Sequence, residues 1–167
     1  MAFIRRKKVH EYEYYQVVRN YRGRDGKHRQ EVLCHLGVHS SLESAIAAAR
    51  EKVKVHREEA AQHRRHANAI RATHQKHFGW ESDVGEFPSK EEAELKLEYW
   101  WDRYYSPRTF YSGTEFMDIE EIQIQIEKYM RCLTYYGALQ LASMSDARAD
   151  TYQVKLDKLL RVQHECF

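Results

Sequence analysis

Short alternating segments occupy the first 40 residues, and longer segments with helical periodicity occupy the rest. The runs Tyr12 to Arg22 and His28 to Leu36 are rich in Tyr and Val, and Asp25-Gly26 lies between them. Asp-Gly between two such runs is a strong hairpin signal, because a type I′ turn requires positive φ at both of its central positions. The pattern therefore predicts a β-hairpin in residues 12–36.

A two-residue turn at Asp25-Gly26 determines the register of the predicted hairpin, in which Arg22 pairs with Arg29 and Gln16 pairs with His35. Because side chains alternate along a strand, this register predicts one polar and one largely apolar face. The predicted polar face contains Gln16, Val18, Asn20, Arg22, Arg29, Glu31, Leu33 and His35, and the apolar face contains Tyr15, Val17, Arg19, Tyr21, Gln30, Val32, Cys34 and Leu36. Two strands alone are marginally stable in water, so a helix or another strand must cover the apolar face.

One long helix is predicted for residues 41–78. Ser40 and Glu43 have the spacing of a capping box, and neither Pro nor Gly follows until Gly79. A continuous heptad seam runs along this helix, with its members alternately four and three residues apart. They are Leu42, Ile46, Ala49, Val53, His56, Ala60, His63, Ala67, Ile70, His74 and His77. Four arginines recur every seven residues beside this seam, at Arg50, Arg57, Arg64 and Arg71. They either follow a phosphate backbone or pair with carboxylates from the second half of the chain.

The remaining segments predict a linker at residues 79–89 and a helical domain at residues 90–167. This domain contains about three helices: one that begins after Ser89 and ends before Pro107, one capped by Asp118, and one over about residues 147–163. Residues 1–40 are predicted to be a basic hairpin module. The chain is therefore expected to be an α+β, mostly helical protein.

Composition excludes several classes of protein. The chain has 167 residues, of which 43% are hydrophobic and 13% aromatic, which is enough to build a core. No apolar run approaches the roughly 20 residues of a membrane span, and basic residues near the N-terminus exclude a secretory signal. Three widely separated cysteines, Cys34, Cys132 and Cys166, indicate reduced thiols. We therefore expect a cytoplasmic protein with no membrane partner.

The net charge of +2 conceals a strong asymmetry along the chain. Residues 1–80 carry a charge of +9 and nine of the ten histidines, whereas residues 81–167 carry −7. Either the basic half faces a polyanion, or the two halves attract each other.

The histidines do not predict a metal site. The i, i+3 pairs His63/His66 and His74/His77 are eleven residues apart, and no Cys or Glu is placed to complete a ligand set. We therefore predict no metal and no other cofactor, and favour a helix seam whose packing depends on histidine protonation.

Catalytic motifs are equally weak. Asp83 with Glu94-Leu95-Lys96 resembles a nuclease pattern, but that pattern requires a strand where this sequence predicts a helix. The aromatic run at residues 99–105 is interpreted as core or as a protein-binding surface. The chain is predicted not to be an enzyme.

The hairpin sequence resembles the N-terminal segment of DDE-type insertion-sequence transposases over residues 3–45. An aromatic strand, Tyr14-Tyr15-Gln-Val17-Val18-Arg19-Asn-Tyr21-Arg22, precedes a Gly/Lys turn, and Arg29-Gln30 and Leu36-Gly37 follow at fixed distances. In that family the segment precedes the catalytic domain, and the resemblance implies a module that helps to grip DNA. The chain is too short for the family's ribonuclease-H-like core, and no strand-borne carboxylate trio follows residue 45. The resemblance therefore implies the hairpin module without transposition chemistry.

These observations predict a non-catalytic nucleic-acid-binding accessory subunit of a mobile-element-derived or defence-type nucleoprotein complex, with DNA favoured over RNA. A β-ribbon can enter the major groove, Arg, Asn and Gln can read base edges, and basic residues can bind phosphates. The candidate contacts are a basic arm (Arg5, Arg6, Lys7, Lys8), the hairpin residues Gln16, Asn20, Arg22, Arg24, Lys27, Arg29 and His35, and the helix row Arg50, Arg57, Arg64 and Arg71. The alternative is a structural or assembly protein whose helices dock a partner protein or self-associate, with the hairpin used for oligomer contacts.

Overall fold

The computed structural model describes residues 2–78, 87–105 and 119–167. Three strands come first: β1 (Ala2–Val9), β2 (Tyr12–Arg22) and β3 (His28–Gly37). Within the described ranges, three helices follow: α1 (Leu42–Phe78), α2 (Lys90–Tyr105) and α3 (Ile119–Cys166). The predicted α+β, mostly helical class is confirmed. No helix in these ranges is long and apolar enough to cross a membrane.

The N-terminal sheet has three antiparallel strands in the order β1-β2-β3. The prediction of a basic arm at Arg5 to Lys8 is wrong, because these residues belong to β1 and pair with β2. A tight turn joins Val9 to its cross-strand partner Tyr12, and His10 occupies the left-handed region there with φ of 56°. The sequence analysis also assigned no role to Ile4, whose side chain packs against the core.

The β2–β3 loop is longer than the predicted two-residue turn. Arg22 pairs with His28, and residues 23–27 form the loop. The Gly23 N–H donates to the Lys27 carbonyl at 2.8 Å, and Gly26 has a positive φ of 75°. The Asp25 carboxylate accepts a hydrogen bond from the Lys27 N–H at 3.2 Å, which stabilises the longer loop.

This loop shifts the pairing of β3 by one residue near the tip, so the side chains of β3 there lie on the face opposite to the predicted one. Arg29 and Glu31 lie on the same face as the buried Val17, whereas Gln30 and Val32 lie on the opposite face. The prediction had placed these four residues the other way round. An irregularity at Val17/Val18 restores the predicted pairing of Gln16 with His35.

One compact unit consists of residues 1–58 and 145–167. Its core joins the sheet to α1 and to the C-terminal end of α3. The core residues are Val17, Cys34, Leu36, Leu42, Ala45, Ile46, Ala49, Leu156, Leu159 and Val162. The cap of α1 is Ser41, one residue after the predicted Ser40, and its Oγ accepts a hydrogen bond from the Ser44 N–H at 3.1 Å.

The second compact unit consists of residues 59–144. It contains the end of α1, all of α2 and the first half of α3. Ser89 caps α2 as predicted, with its Oγ accepting a hydrogen bond from the Glu92 N–H at 3.1 Å. The buried residues of this unit include Ala60, Ala67, His74, Ala93, Ile122, Ile126, Cys132, Ala138 and Ala142.

The helix α1 has the predicted length, whereas α3 is longer than the sequence indicated. The predicted long helix is confirmed as α1, although the buried part of its seam ends at His74 and His77 is exposed. The two helices predicted after residue 118 are a single helix of 48 residues. Its one interior glycine, Gly137, costs only about 1 kcal/mol relative to Ala and does not end the helix.

The predicted linker and the predicted start of the third helix fall mostly on residues that the structure does not describe. The predicted capping residue Asp118 and most of the predicted linker lie outside the described residues. The division into segments 1–40, 41–78, 79–89 and 90–167 stays a prediction.

Candidate nucleic-acid interface

The face of the sheet opposite the core, called here the open face, carries positive charge without carboxylates. Paired residues of an antiparallel sheet point to the same side, so the register defines its members. They are Phe3, Arg5, Lys7 and Val9 from β1, Tyr12, Tyr14, Gln16, Val18, Asn20 and Arg22 from β2, and His28, Gln30, Val32 and His35 from β3. The two carboxylates in these strands, Glu13 and Glu31, both lie on the other face.

Arg5 lies at the centre of a hydrogen-bond network that joins all three strands. Its Nη1 donates to Gln30 Oε1 at 2.8 Å, and its Nη2 donates to Gln16 Oε1 at 2.9 Å. Gln16 Nε2 lies 3.1 Å from His35 Nδ1. An amide nitrogen can only donate, so His35 Nδ1 is the acceptor. The predicted candidates Arg5, Gln16 and His35 are therefore brought together, and Gln30 joins them through the shifted register.

The network explains why Val18 is fully buried although it belongs to the open face. Arg5 stands on β1 and Gln30 on β3, so their hydrogen bond passes over β2, where Val18 has no exposed surface. Its cross-strand neighbours Phe3 and Val32 remain 38% and 41% exposed. The aliphatic part of an arginine side chain covers apolar surface well while its charged group stays in contact with water. The guanidinium is thereby held over the middle of the sheet by two neutral amides.

The predicted arm residues divide between the two faces. Lys7 shares the open face with Arg5, whereas Arg6 and Lys8 lie on the other face. There Arg6 forms an ion pair with Glu13 at 3.3 Å. Only half of the predicted arm therefore contributes to the open face.

The tip of the β2–β3 hairpin carries the remaining basic candidates. Arg22 Nε donates to the Gly26 carbonyl at 3.0 Å, and Arg29 pairs with Asp25 at 2.9 Å. The prediction that Arg22 and Arg29 share a face is wrong, because Arg29 pairs with Tyr21 on the opposite side. The backbone carbonyl of Gly26 leaves the charge of Arg22 uncompensated, whereas Asp25 neutralises Arg29. Arg24, Lys27 and the predicted Asn20 are exposed.

The arginine row of α1 is exposed along its whole length. Arg50 and Arg57 belong to the first compact unit, and Arg64 and Arg71 belong to the second. The Arg71 guanidinium lies 5.5 Å from the centre of the Phe87 ring, which is a cation–π contact. Pairing of this row with carboxylates stays a prediction. Phosphate binding by this row stays a prediction.

One buried polar pair in the second unit was not anticipated. His74 Nε2 lies 3.0 Å from the Lys128 carbonyl oxygen and 3.3 Å from Cys132 Sγ. A carbonyl can only accept, so Nε2 carries the hydrogen. Burial lowers the pKa of His74 and raises the pKa of Cys132 to about 11. Both groups are thus kept neutral inside the unit.

The weaker candidates of the sequence do not form a catalytic arrangement in the described ranges. Those ranges contain no group of three or more His, Cys, Asp or Glu that could hold a metal ion. Glu94 lies on α2 and pairs with Lys90 at 3.6 Å, while Asp83 is outside the described residues. In the aromatic run, Trp101 stacks on Tyr105 with ring centres 5.5 Å apart and lines a groove of about 300 Å³.

Comparison with protein families relates the first part of the chain to a known domain. Residues 3–69 match the N-terminal domain of IS1634 family transposases. The transposase match confirms the resemblance seen over residues 3–45 and extends it along most of α1. It covers less than half of the chain and includes neither α2 nor α3. Searches of curated proteins and of solved structures gave no match.

The transposase match ends before the segment that completes the core beneath the sheet. Leu156, Leu159 and Val162 of α3 pack into the core formed by the sheet and the start of α1. The core of the transposase-related segment therefore includes the C-terminal end of α3, which lies outside the match.

Proposed function

We propose that this chain is a non-catalytic accessory subunit that binds nucleic acid, with DNA favoured over RNA, in a mobile-element-derived or defence-type nucleoprotein complex of the cytoplasm. The observation that carries the proposal is the open face of a transposase-related sheet, with three uncompensated basic residues and no carboxylate.

Electrostatics supports this choice of surface. Arg5, Lys7 and Arg22 lie on the open face, where Arg5 and Arg22 donate to neutral oxygens and Lys7 is exposed. Phosphate contacts supply a large share of the affinity of DNA-binding proteins, and a cation without an internal counter-ion keeps its full charge for them. The exposed Arg24 and Lys27 extend the same positive surface around the hairpin tip.

The proposal is tested by measuring duplex DNA binding against salt concentration for two matched double variants. Lys7→Ala/Arg22→Ala removes two charges from the open face. Each phosphate contact contributes about 0.9 to the slope of log K against log salt for duplex DNA. We therefore expect weaker binding and a slope smaller by up to about 1.8.

Lys8→Ala/Arg19→Ala is the control, because it removes the same two residue types from the same two strands on the other face. Its slope should equal that of the wild type, and circular dichroism should show both variants folded. Equal slopes for all three proteins, or an equal loss in the two variants, would refute the assignment of the open face.

The non-catalytic part of the proposal rests on the placement of the nuclease-like residues. Glu94 and Lys96 lie on a capped helix, where Glu94 already pairs with Lys90. A cleavage assay on supercoiled and linear DNA with Mg²⁺ or Mn²⁺ tests this point. We expect intact DNA, and cleavage that disappears in Glu94→Gln would overturn it.

A second candidate function is docking of a partner protein or a second copy through the helices. It is favoured by exposed apolar side chains in the second unit: Leu95 is 68% exposed, Leu141 49% and Met144 47%. Analytical ultracentrifugation of the wild type and of Leu141→Ser/Met144→Ser distinguishes this function from DNA binding. A self-associating wild type, a monomeric variant and no retention on heparin would make docking the leading function.

A further inference from the structure

We propose that Arg5, held by Gln16 and Gln30, reads guanine in the major groove of duplex DNA, so that binding by the sheet is sequence-specific. This inference rests on the proposed function. It adds a base-reading site at the centre of the open face, distinct from the phosphate contacts proposed for Lys7, for Arg22 and for the hairpin tip.

The position of Arg5 fits entry into the major groove. Adjacent strands lie about 4.8 Å apart, and the major groove, about 12 Å wide, admits a two-stranded β-ribbon, so β2 can enter it together with one neighbouring strand. The two hydrogen bonds of Arg5 hold its guanidinium over β2, the middle strand. A sheet that approaches the groove face-on therefore presents Arg5 to the base edges and its outer residues to the phosphates.

The chemistry of the network also suits guanine. A guanidinium has five N–H groups, and Gln16 and Gln30 use one each, leaving donors for O6 and N7 of guanine. Both partners are neutral, so the full charge of Arg5 remains available. A side chain that is already held in place loses less conformational entropy on binding.

Neighbouring side chains complete a surface with mixed recognition chemistry. Phe3 and Val32 flank the buried Val18 and remain exposed, so they can contact the methyl group of thymine. Asn20 is exposed and pairs with Gln30, which places two amides next to each other on the open face. Amide side chains pair with adenine N6 and N7.

A purely structural role for the network would be the joining of three strands. Arg5→Lys separates the two roles, because lysine keeps the charge but loses the planar fork that contacts two acceptors at once. Arg24→Lys makes the same chemical change at the exposed tip, where we propose phosphate contact only, and serves as the matched control. Gln30→Glu is a second variant that puts a carboxylate beside Arg5 on an exposed strand position.

The experiment selects duplexes from a random-sequence library with the wild-type protein and then measures affinity for a selected duplex and a scrambled duplex. We expect the selected sequences to share at least one guanine. In Arg5→Lys the preference for the selected duplex should fall by about 5- to 150-fold, the range for loss of one bidentate base contact. Affinity for the scrambled duplex and the salt slope should stay unchanged. Gln30→Glu should also lose preference, whereas Arg24→Lys should keep it.

Two results would overturn the inference and leave the proposed function standing. One is salt-dependent binding of all duplexes by the wild type without a shared sequence. The other is an equal loss of affinity for both duplexes in Arg5→Lys, which would make Arg5 a phosphate or structural contact. Absence of any duplex binding would overturn the inference and the proposed function together.

Discussion

Replacement of Leu159 by Ala should reveal how much the sheet depends on the C-terminal end of α3. Leu159 has no exposed surface and belongs to the core that also contains Val17, Cys34 and Leu36 of the sheet. Truncation of a fully buried leucine typically costs about 2–5 kcal/mol, because apolar contacts are lost and a cavity remains. We expect about 3 kcal/mol here, since α1 and the sheet enclose the site and limit its collapse. For a chain of this size that corresponds to a melting temperature lower by about 6–12 °C.

The assay is urea unfolding followed by circular dichroism, with Val154→Ala as the control. Val154 lies on the same helix but is 70% exposed, so its truncation should change the free energy of unfolding by less than about 0.5 kcal/mol. If Leu159→Ala were as stable as Val154→Ala, the end of α3 would not belong to the core of the sheet. The conclusion that the transposase-related segment is completed by this helix would then be wrong.

Three further predictions concern single residues. Burial lowers the pKa of His74 below its ordinary 6.5, so the unfolded chain takes up the proton at a higher pH than the folded chain. The free energy of unfolding should therefore decrease as the pH falls through and below 6.5, and urea titrations of His74→Gln should show a flatter pH profile. Burial raises the pKa of Cys132 to about 11, so iodoacetamide at pH 8 should leave Cys132 unmodified in the native protein while the half-buried Cys166 reacts. Mass spectrometry of the peptides measures both, and early labelling of Cys132 would contradict its burial. Gly37→Ala should cost about 1 kcal/mol, because Gly37 has a φ of +71° and no atom would contact the added Cβ, and an unchanged melting temperature would rule out this backbone conformation.

The periodicity of the sequence was sufficient to predict α1 and the two hairpin strands. A helix without Pro or Gly and with a heptad seam has no competing local structure, so its existence and length follow from the local pattern. The resemblance of residues 3–45 to a transposase segment was confirmed by the match over residues 3–69. The charge asymmetry between residues 1–80 and residues 81–167 was likewise read directly from the sequence.

The sequence predicted two helices where α3 is a single one, because a small local loss of helix propensity is outweighed by packing. Gly137 and the polar residues near Ser145 reduce helix propensity locally by amounts of about 1 kcal/mol. Ala138, Ala142, Ser145 and Ala149 are buried, and packing of this face outweighs the local loss. Sequence reasoning had only the propensity.

The candidate site depended on the tertiary structure because register is not a local property. Asp25-Gly26 indicated a turn, but the hydrogen bonds of Asp25 with Lys27 and Arg29 produced a five-residue loop. That single-residue shift moved Glu31 off the open face and placed Gln30 on it, since neighbouring side chains point to opposite sides of a strand.

The sequence by itself determined β2, β3 and α1, and the positive charge of residues 1–80. Only the pairing of three strands decided which face is free of carboxylates and brought Arg5 within hydrogen-bond distance of Gln16 and Gln30, residues 11 and 25 positions away in the chain. Contacts over such separations arise when apolar residues such as Val17 and Leu36 are buried together, and no local pattern encodes that geometry.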